Sequence, residues 1–397
     1  MARPYIINAL DIGSSSIKLV SVLKKPKSYE VLAQAQEASF GVRKGVVMEV
    51  SKVSEIISSL VKRIEEDSGK KVDGVYASVG GSHLFSAPSK GLVSVSRADR
   101  KISKEDTERV LQAAETLSIP SNNEIMEVFP KDFIVDGQAG VKEAVGMNGV
   151  RLEADVTVLG GFTPYLRNSN KSISSSGVNI NYIYPDFLAS SKAVLSSREK
   201  ELGVCVLDIG GGTTGMSVYE EGSLVHGFVF PIGSAYITND IAVCLKTDID
   251  TAEKIKIEFG SCRRSGVKKS EKKINISGEE PIVFSRKALS EIIEARVCEI
   301  FDLVHKELKK ISKSELPAGV VLTGGGAKIP GIKDLAKKEL KLPVRIGRPT
   351  SLIELDDPAL ATVCGLVLEA SDMEEEDKGA KSGFLSFFRK FFKSFVP

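Results

Sequence analysis

The sequence predicts an α/β chain of two similar halves, with a small α/β subdomain set into the first half and an amphipathic helix at the C-terminus. Three observations carry that expectation. The chain matches itself when Asp11 is laid over Asp208, 197 positions on. A stretch covering 84–160 breaks the pattern of the half that contains it. Six of the 17 Phe residues fall within 384–397.

Composition bounds the rest. A chain of 397 residues exceeds the ~250–300 at which single cores stop growing, so two or three domains are expected. Hydrophobic residues at 42% and charged residues at 27% describe an ordinary globular protein. Lys+Arg 54 against Asp+Glu 52 leaves a formal +2, which removes the global electrostatic case for nucleic acid as a partner. Five scattered cysteines without C-x-x-C, and three histidines, argue against a disulfide framework or a His/Cys metal centre. The chain enters an apolar strand pattern at Tyr5 with no leader-like region, and no apolar run approaches ~18 residues. A cytosolic protein is expected.

The repeat defines the first elements. Leu10-Asp11-Ile12-Gly13 falls on Leu207-Asp208-Ile209-Gly210, with Ser14, Ser15 and Ser16 on Gly211, Gly212 and Thr213. In each copy an apolar strand ends in Asp-Ile-Gly, turns through small residues and leaves as a second strand, which reads as a β-hairpin. The insert reads as a short strand over 93–96, a capped helix over 103–117 starting near Ser103 and Asp106, and strands over 125–135 and 150–159. A long amphipathic helix over 285–312 carries Leu289, Ile293, Val297, Ile300, Val304 and Leu308 on one stripe. A third small-residue turn, Thr323-Gly324-Gly325-Gly326, follows a buried-type strand and precedes a helix over 332–340. The acidic stretch 372–377 and Lys378-Gly379-Ala380-Lys381-Ser382-Gly383 read as a linker. The expected units are a first lobe in two parts (1–83 and 161–200), the insert (84–160) and a second lobe (201–345). Residues 346–370 return to the first lobe, 371–383 link, and 384–397 form the terminal helix.

Small residues at three turns suit a polyphosphate, because they let backbone N–H groups approach it. Ser14, Ser15 and Thr213 add hydroxyls, and Lys18 adds a charge able to reach a phosphate. Asp11 and Asp208, one per hairpin, are placed to hold magnesium through its water shell. Gly324, Gly325, Gly326 and the helix after them would face the α-phosphate and ribose. No G-x-x-x-x-G-K-[ST] is present, which excludes a P-loop.

The order of the two Asp-Ile-Gly hairpins and the Thr-Gly-Gly-Gly turn resembles the actin/DnaK-type chaperone/sugar-kinase superfamily. Its fold is the actin-like (ribonuclease H-like) two-lobed ATPase fold. Val206-Leu-Asp-Ile-Gly-Gly-Gly-Thr-Thr, Val225-His226, Pro231-Ile-Gly, Thr238-Asn-Asp-Ile-Ala and Val145-Gly-Met-Asn-Gly-Val-Arg-Leu-Glu-Ala154 resemble, within it, the bacterial cell-division family FtsA. That resemblance covers essentially the whole chain. It implies ATP with Mg as ligands and hydrolysis that is slow at most. It implies Glu253 and Lys256 beside the adenine and ribose, against an ordinary helix-surface ion pair, and Asp186 as a candidate to orient water, against a helix-capping role. It implies self-association into filaments and docking of the C-terminal peptide of the tubulin-like protein FtsZ on a subdomain at about 226–305, with Arg296 and Lys287 as contact residues. Later division membrane proteins would be recruited too. Gly215 departs from relatives that carry Asp after Thr-Thr. Two alternatives share the fold: a PilM-like component of type IV pilus assembly, which has the same first hairpin, and a sugar kinase or metabolic ATPase, which needs a catalytic Asp and a sugar pocket that no motif in the sequence supplies.

On a helical wheel Phe384, Leu385, Phe387, Phe388, Phe391, Phe392, Phe395 and Val396 fill one half, and Arg389, Lys390 and Lys393 lie on the other. At ~1.5 Å per residue the helix is ~20 Å long, too short to span a bilayer but suited to lying in an anionic membrane surface. The expected location is the cytoplasmic face of the inner membrane, at the division site. The cluster Arg263, Arg264, Lys268, Lys269, Lys272 and Lys273 reads as a solvated loop, since no aromatic residues are interleaved for stacking on bases.

Overall fold

The computed structural model describes residues 4–115, 122–263, 271–274, 282–313 and 315–378. The first half opens with β1 (Tyr5–Ile12), β2 (Ser16–Lys25), β3 (Ser28–Ala38), the short pair β4 (Val42–Arg43) and β5 (Val46–Val47), α1 (Val50–Ser68) and β6 (Gly74–Val79). An insertion supplies β7 (Phe85–Ser94), α2 (Lys104–Ala114), β8 (Asn123–Val135), β9 (Gln138–Val141) and β10 (Arg151–Phe162). The half resumes with α3 (Thr163–Ser174), β11 (Asn179–Pro185) and α4 (Asp186–Val194), and α5 (Ser197–Leu202) leads out of it. The second half runs β12 (Val204–Ile209), β13 (Thr214–Glu220), β14 (Ser223–Phe230), α6 (Ser234–Leu245), α7 (Ile249–Phe259), β15 (Glu271–Ile274), β16 (Ile282–Ser285) and α8 (Arg286–Lys310). It closes with β17 (Val320–Thr323), α9 (Ile332–Leu340) and β18 (Val344–Ile346), after which α10 (Ala361–Lys378) returns to the first sheet.

The two main sheets have matching orders, β3-β2-β1-β6-β11 and β14-β13-β12-β17-β18. Each is an antiparallel three-strand meander extended by two parallel strands. The repeat is therefore true to register. Asp11 lies opposite Lys18 on β2, and Asp208 lies opposite Gly215 on β13. The central strands are apolar on both faces because both faces are covered. Ile7 and Ala9 of β1 pack toward α4 and α10, whereas Leu10 and Ile12 pack toward α1. Likewise Val204 and Val206 face α4 and α10, while Cys205, Leu207 and Ile209 join the core under α6 to α9. So α4 and α10 form a layer shared by both sheets. They cross where Gly365 meets Ala189; a Cβ on Gly365 would overlap the Ala189 carbonyl. Phe187 of α4 is 1% exposed and fills the hollow left by Gly215 and Gly227 on the second sheet. Burial of that side chain contributes roughly 1.5–3 kcal/mol.

The insertion forms its own sheet, β7-β10-β8-β9, covered by α2. Ser103 and Asp106 cap α2 reciprocally, which is why the helix starts where the sequence places it. The expected short strand over 93–96 is instead the end of the ten-residue β7. The insert docks on the outer edge of β14. Ser86 Oγ donates to the Gly227 carbonyl (2.8 Å) and accepts the Gly227 N–H (3.0 Å), and Thr157 donates to the Leu224 carbonyl (2.9 Å). Side-chain hydroxyls thus satisfy an edge that would otherwise be bare.

One expectation is corrected at the C-terminal end. The acidic residues 372–377, read as linker, continue α10 to Lys378. Tertiary partners hold them: Lys192 binds Glu369 (2.6 Å) and Asp372 (2.5 Å), Tyr76 donates to Glu374 (3.0 Å), and Lys24 meets Glu375 (3.3 Å). Acidic residues are acceptable helix formers once such partners fix them. The Phe-rich segment 384–397 lies outside the described residues.

Candidate functional site

The C-terminal ends of β1, β6, β11 and β12 point into one cleft between the halves, with a volume of about 500 Å³. Of the residues singled out in the sequence, Asp11, Gly13, Ser14, Ser15, Lys18, Asp186, Asp208, Gly210, Gly211, Thr213, Glu253, Lys256, Gly324 and Gly325 line it. Gly212 and Gly326 stand just behind the wall. A Cβ on Gly212 would come within 2.6 Å of Ser14 Oγ, and one on Gly326 would overlap Ile209. The hairpin tips touch, since a Cβ on Gly211 would overlap Ser15 Oγ. Small residues are therefore required at the tips by the approach of the two halves as well as by any ligand.

The tips offer donors. Among the described residues, no protein acceptor takes the backbone N–H of Ser14, Ser15, Gly211 or Gly212. Ser15 is exposed, but Ser14, Gly211 and Gly212 are buried or half-buried; such N–H groups without a protein acceptor are uncommon, and together the four make a cradle for an anion. Carbonyls of the second tip are used differently: Ser234 and Ala235, at the start of α6, donate to Gly210 (2.8 Å) and Gly211 (2.9 Å). The third turn enters the cleft through Gly325, where a Cβ would meet nothing within 4 Å. The cleft-facing element after it is the short 3-10 turn Gly325–Lys328, and α9 begins further on, beside Arg263.

Three carboxylates share the hairpin end of the cleft. Asp11 accepts from Lys18 (2.9 Å) and from Ser78 Oγ (2.8 Å), and Ser78 in turn accepts the Ile12 N–H (3.0 Å). Lys18, expected to reach a phosphate, is thus held by Asp11. Burial opposes its charge, but Asp11, with Asp208 and Asp357 further off, keeps its pKa above the ordinary value. Asp208 accepts from Thr362 (3.3 Å) and lies beside Ser190. Burial, aided by the nearby Asp11 charge, pushes it up to about 6. Asp186, the first residue of α4, accepts the Phe187 N–H (2.7 Å) while facing the cleft, so it serves the helix start and lines the site. Burial first, then Asp208 and Asp11, raise it well above the usual carboxylate range. Among the described residues no set of three or more His, Cys, Asp or Glu side chains could chelate a metal directly. A hard cation here would keep most of its waters and bridge to a ligand.

At the other end, Lys256 of α7 binds Glu253 (2.7 Å), Thr238 Oγ1 (2.9 Å) and the Ser234 carbonyl (3.3 Å). Ile257, 72% exposed, and Ile329 and Pro330 complete an apolar wall there. No local sequence signal points to Ser78, Ser190 or Thr362; they reach the aspartates only through the fold.

The two residues picked as partner contacts sit apart on α8. Arg296 makes a bidentate pair with Asp240 of α6 (2.7 and 2.8 Å), also binds Glu299, and lies 5.7 Å from the centre of the Tyr236 ring. Lys287 is exposed, 3.9 Å from Glu291. Of the basic cluster read as a loop, Arg264, Lys268 and Lys269 lie outside the described residues, whereas Lys272 and Lys273 fall on β15, paired with β16.

Two family models match the chain: "Cell division protein FtsA" over residues 205–365, and "SHS2 domain inserted in FTSA" over residues 81–159. The second coincides with the insertion that carries β7 to β10. The curated cell division protein FtsA of Pseudomonas aeruginosa is 36% identical over 371 residues, covering 91% of this chain and 88% of that one. Among solved structures, the PilM–PilN type IV pilus biogenesis complex matches with TM-score 0.67 and 18% identity, over 91% of this chain and 98% of that one. MreB5 of Spiroplasma citri bound to ADP matches with TM-score 0.58 and 13% identity, over 96% and 99%. At such identities these structures share the actin-like fold alone, so the likeness to the pilus protein gives no support to a pilus function. Sequence identity across nearly the full length, together with a family-specific insertion, decides the assignment: the chain belongs to the FtsA family of cell division proteins.

Proposed function

We propose that the chain binds ATP with Mg in the cleft, assembles into actin-like filaments at the inner membrane, and holds FtsZ there. The observation that carries the nucleotide reading is the convergence of three small-residue turns on one cleft where, among the described residues, the N–H groups of Ser14, Ser15, Gly211 and Gly212 have no protein acceptor. The residues fit the group. The tips of both hairpins would cradle the phosphates, Gly324 and Gly325 would leave room beside them, and the wall of Ile257, Ile329 and Pro330 would take the base. Asp11 and Asp208 would receive the magnesium waters. Bound magnesium would neutralise phosphate charge, and Asp186, the candidate to orient water, is engaged by the Phe187 N–H at the start of α4. That supports slow hydrolysis at most.

Gly325→Val tests the cleft assignment. Its side chain would project into open space, and Gly325 does not use a left-handed backbone. The variant is expected to melt like the parent and to lose ATP affinity by more than roughly tenfold in calorimetry. Unchanged affinity would move the ligand elsewhere.

The FtsZ peptide reading rests on the family and on Arg296. Its guanidinium presents a planar fork to a carboxylate, and Asp240 occupies that fork now. An acidic peptide would compete for it. Arg296→Ala should cost about 1 kcal/mol of stability at this half-exposed pair, and should reduce binding of an FtsZ C-terminal peptide by roughly tenfold in fluorescence anisotropy. Equal binding would place the contact on another face. Recruitment of later division proteins and attachment through 384–397 complete the proposed role.

A further inference from the structure

The cations already assigned to the cleft are committed elsewhere. Lys18 is bound to Asp11 (2.9 Å), Lys256 to Glu253 (2.7 Å) and Lys328 to Asp357 (2.5 Å). Facing them at the hairpin end stand Asp11, Asp186 and Asp208. A polyphosphate entering there would meet little uncommitted positive charge from these groups.

Lys44 differs. With Gly45 it forms the two-residue turn between β4 and β5, and both residues have positive φ (50° and 77°), as a type I′ hairpin turn requires. That turn lies on both hairpin tips. The Gly45 N–H donates to Ser14 Oγ (2.7 Å), and a Cβ on Gly212 would sit 3.2 Å from Lys44 Cα. The backbone of Lys44 therefore lies directly over the place where the first and second halves meet. Its ammonium has no carboxylate partner among the described residues. It rests 5.8 Å from the centre of the Tyr236 ring, on α6 of the opposite half, at the outer edge of the cation–π range. The residue is exposed, and its four-carbon stem can redirect the charge without moving the turn.

We propose that Lys44 is a phosphate-responsive cation of this site: its ammonium leaves Tyr236 for the terminal phosphate of a bound nucleoside triphosphate, so Lys44 tells a triphosphate from a diphosphate. This rests on the nucleotide reading above. Lys18 cannot make the distinction while Asp11 holds it. A charge-assisted bond to phosphate is stronger than a solvent-exposed contact with a tyrosine face, so the exchange runs toward the ligand.

The test is calorimetry of the full chain with MgATP and with MgADP, on the parent, Lys44→Gly, Lys44→Arg and Tyr236→Leu, alongside apoprotein melting. Lys44→Gly deletes the charge at a backbone angle glycine prefers, so melting should not fall. It should lose roughly tenfold in ATP affinity and keep its ADP affinity. Lys44→Arg should restore most of the loss. Tyr236→Leu removes the resting place and should leave ATP binding equal or tighter. The proposal is overturned if Lys44→Gly binds ATP as the parent does, or weakens ATP and ADP equally. It is also overturned if Tyr236→Leu mimics Lys44→Gly, which would make the pair a strut between the halves. A parent that binds neither nucleotide defeats the nucleotide reading itself, and Lys44 with it.

Discussion

Asp208→Asn should stabilise the apoprotein at neutral pH and weaken the proposed MgATP binding on the order of 100-fold. The two effects have one cause. Asp208 sits at the end of β12, covered by Thr362 and Ser190, with Asp11 and Asp186 sharing the cleft. Burial raises its carboxyl from its ordinary 3.8 to about 6. A carboxyl raised in the folded state takes up protons on folding, so its ionisation costs stability. That cost is absent below the unfolded pKa, grows as pH rises through the window from 3.8 to about 6, and is complete above it. At 1.36 kcal/mol per pH unit the full cost is up to ~3 kcal/mol. Asparagine keeps the shape and removes the cost. The melting temperature should therefore rise at pH 7.5 and become level with the parent only below pH 3.8, where the carboxyl is protonated in both states. Removing this charge also relieves Asp186, which should titrate closer to the ordinary range. Magnesium waters, by contrast, lose an anionic acceptor. Outer-shell carboxylates of this kind typically contribute 10–100-fold to affinity, so MgATP binding should fall on the order of 100-fold. A variant that melts higher at pH 7.5 and binds MgATP like the parent would separate the strained carboxylate from the ligand and displace the site.

What the sequence revealed and what it concealed divide along the range of the interactions. The hairpins were legible because Leu10-Asp11-Ile12-Gly13 and Leu207-Asp208-Ile209-Gly210 place alternating apolar residues against a small-residue turn, a pattern set within a dozen residues. The stripe of α8, the span of α9 and the capped start of α2 were legible for the same reason. Pairings were not. Nothing near Lys18 announces that it will lie opposite Asp11 rather than face a ligand, and nothing near Thr362 announces Asp208, 154 positions away. The acidic end of α10 looked like linker because its composition is polar; Lys192, Tyr76 and Lys24, all distant in sequence, decide that it is helix. Arg296 was found as a residue type at a family position. Its bidentate hold on Asp240 and its contact with Tyr236 tie α8 to α6, the helix whose first N–H groups donate to Gly210 and Gly211 at the cleft.

Removal of 384–397 is expected to abolish binding to anionic vesicles while the rest of the chain folds unchanged. The described residues contain no helix long and apolar enough to cross a membrane. Wound as a helix, the segment would carry its six Phe residues on one face and Arg389, Lys390 and Lys393 on the other, the two components such binding requires. Each basic residue near an anionic surface contributes about 1 kcal/mol. Each immersed Phe contributes less than the ~1.5–3 kcal/mol of full burial, and ordering the segment opposes the sum. A single chain should therefore bind reversibly, and filaments presenting many tails should bind far more firmly through effective concentration. The departure point of the tail fits that arrangement. Near its end α10 is tied through Glu374 to Tyr76 on β6 and through Glu375 to Lys24 on β2, and Lys24 pairs with Tyr5 at the opposite end of β1 from Asp11. The nucleotide site would then stay open to solvent while the opposite pole faces lipid. Co-sedimentation with vesicles containing anionic lipid, with and without MgATP, measures this for the full chain and for the chain ending at 383. Replacing Phe387 and Phe391 with Asp should match the truncation. Should the shortened chain pellet with vesicles as well as the full one does, the membrane contact belongs to the folded body and the Phe face must serve another partner.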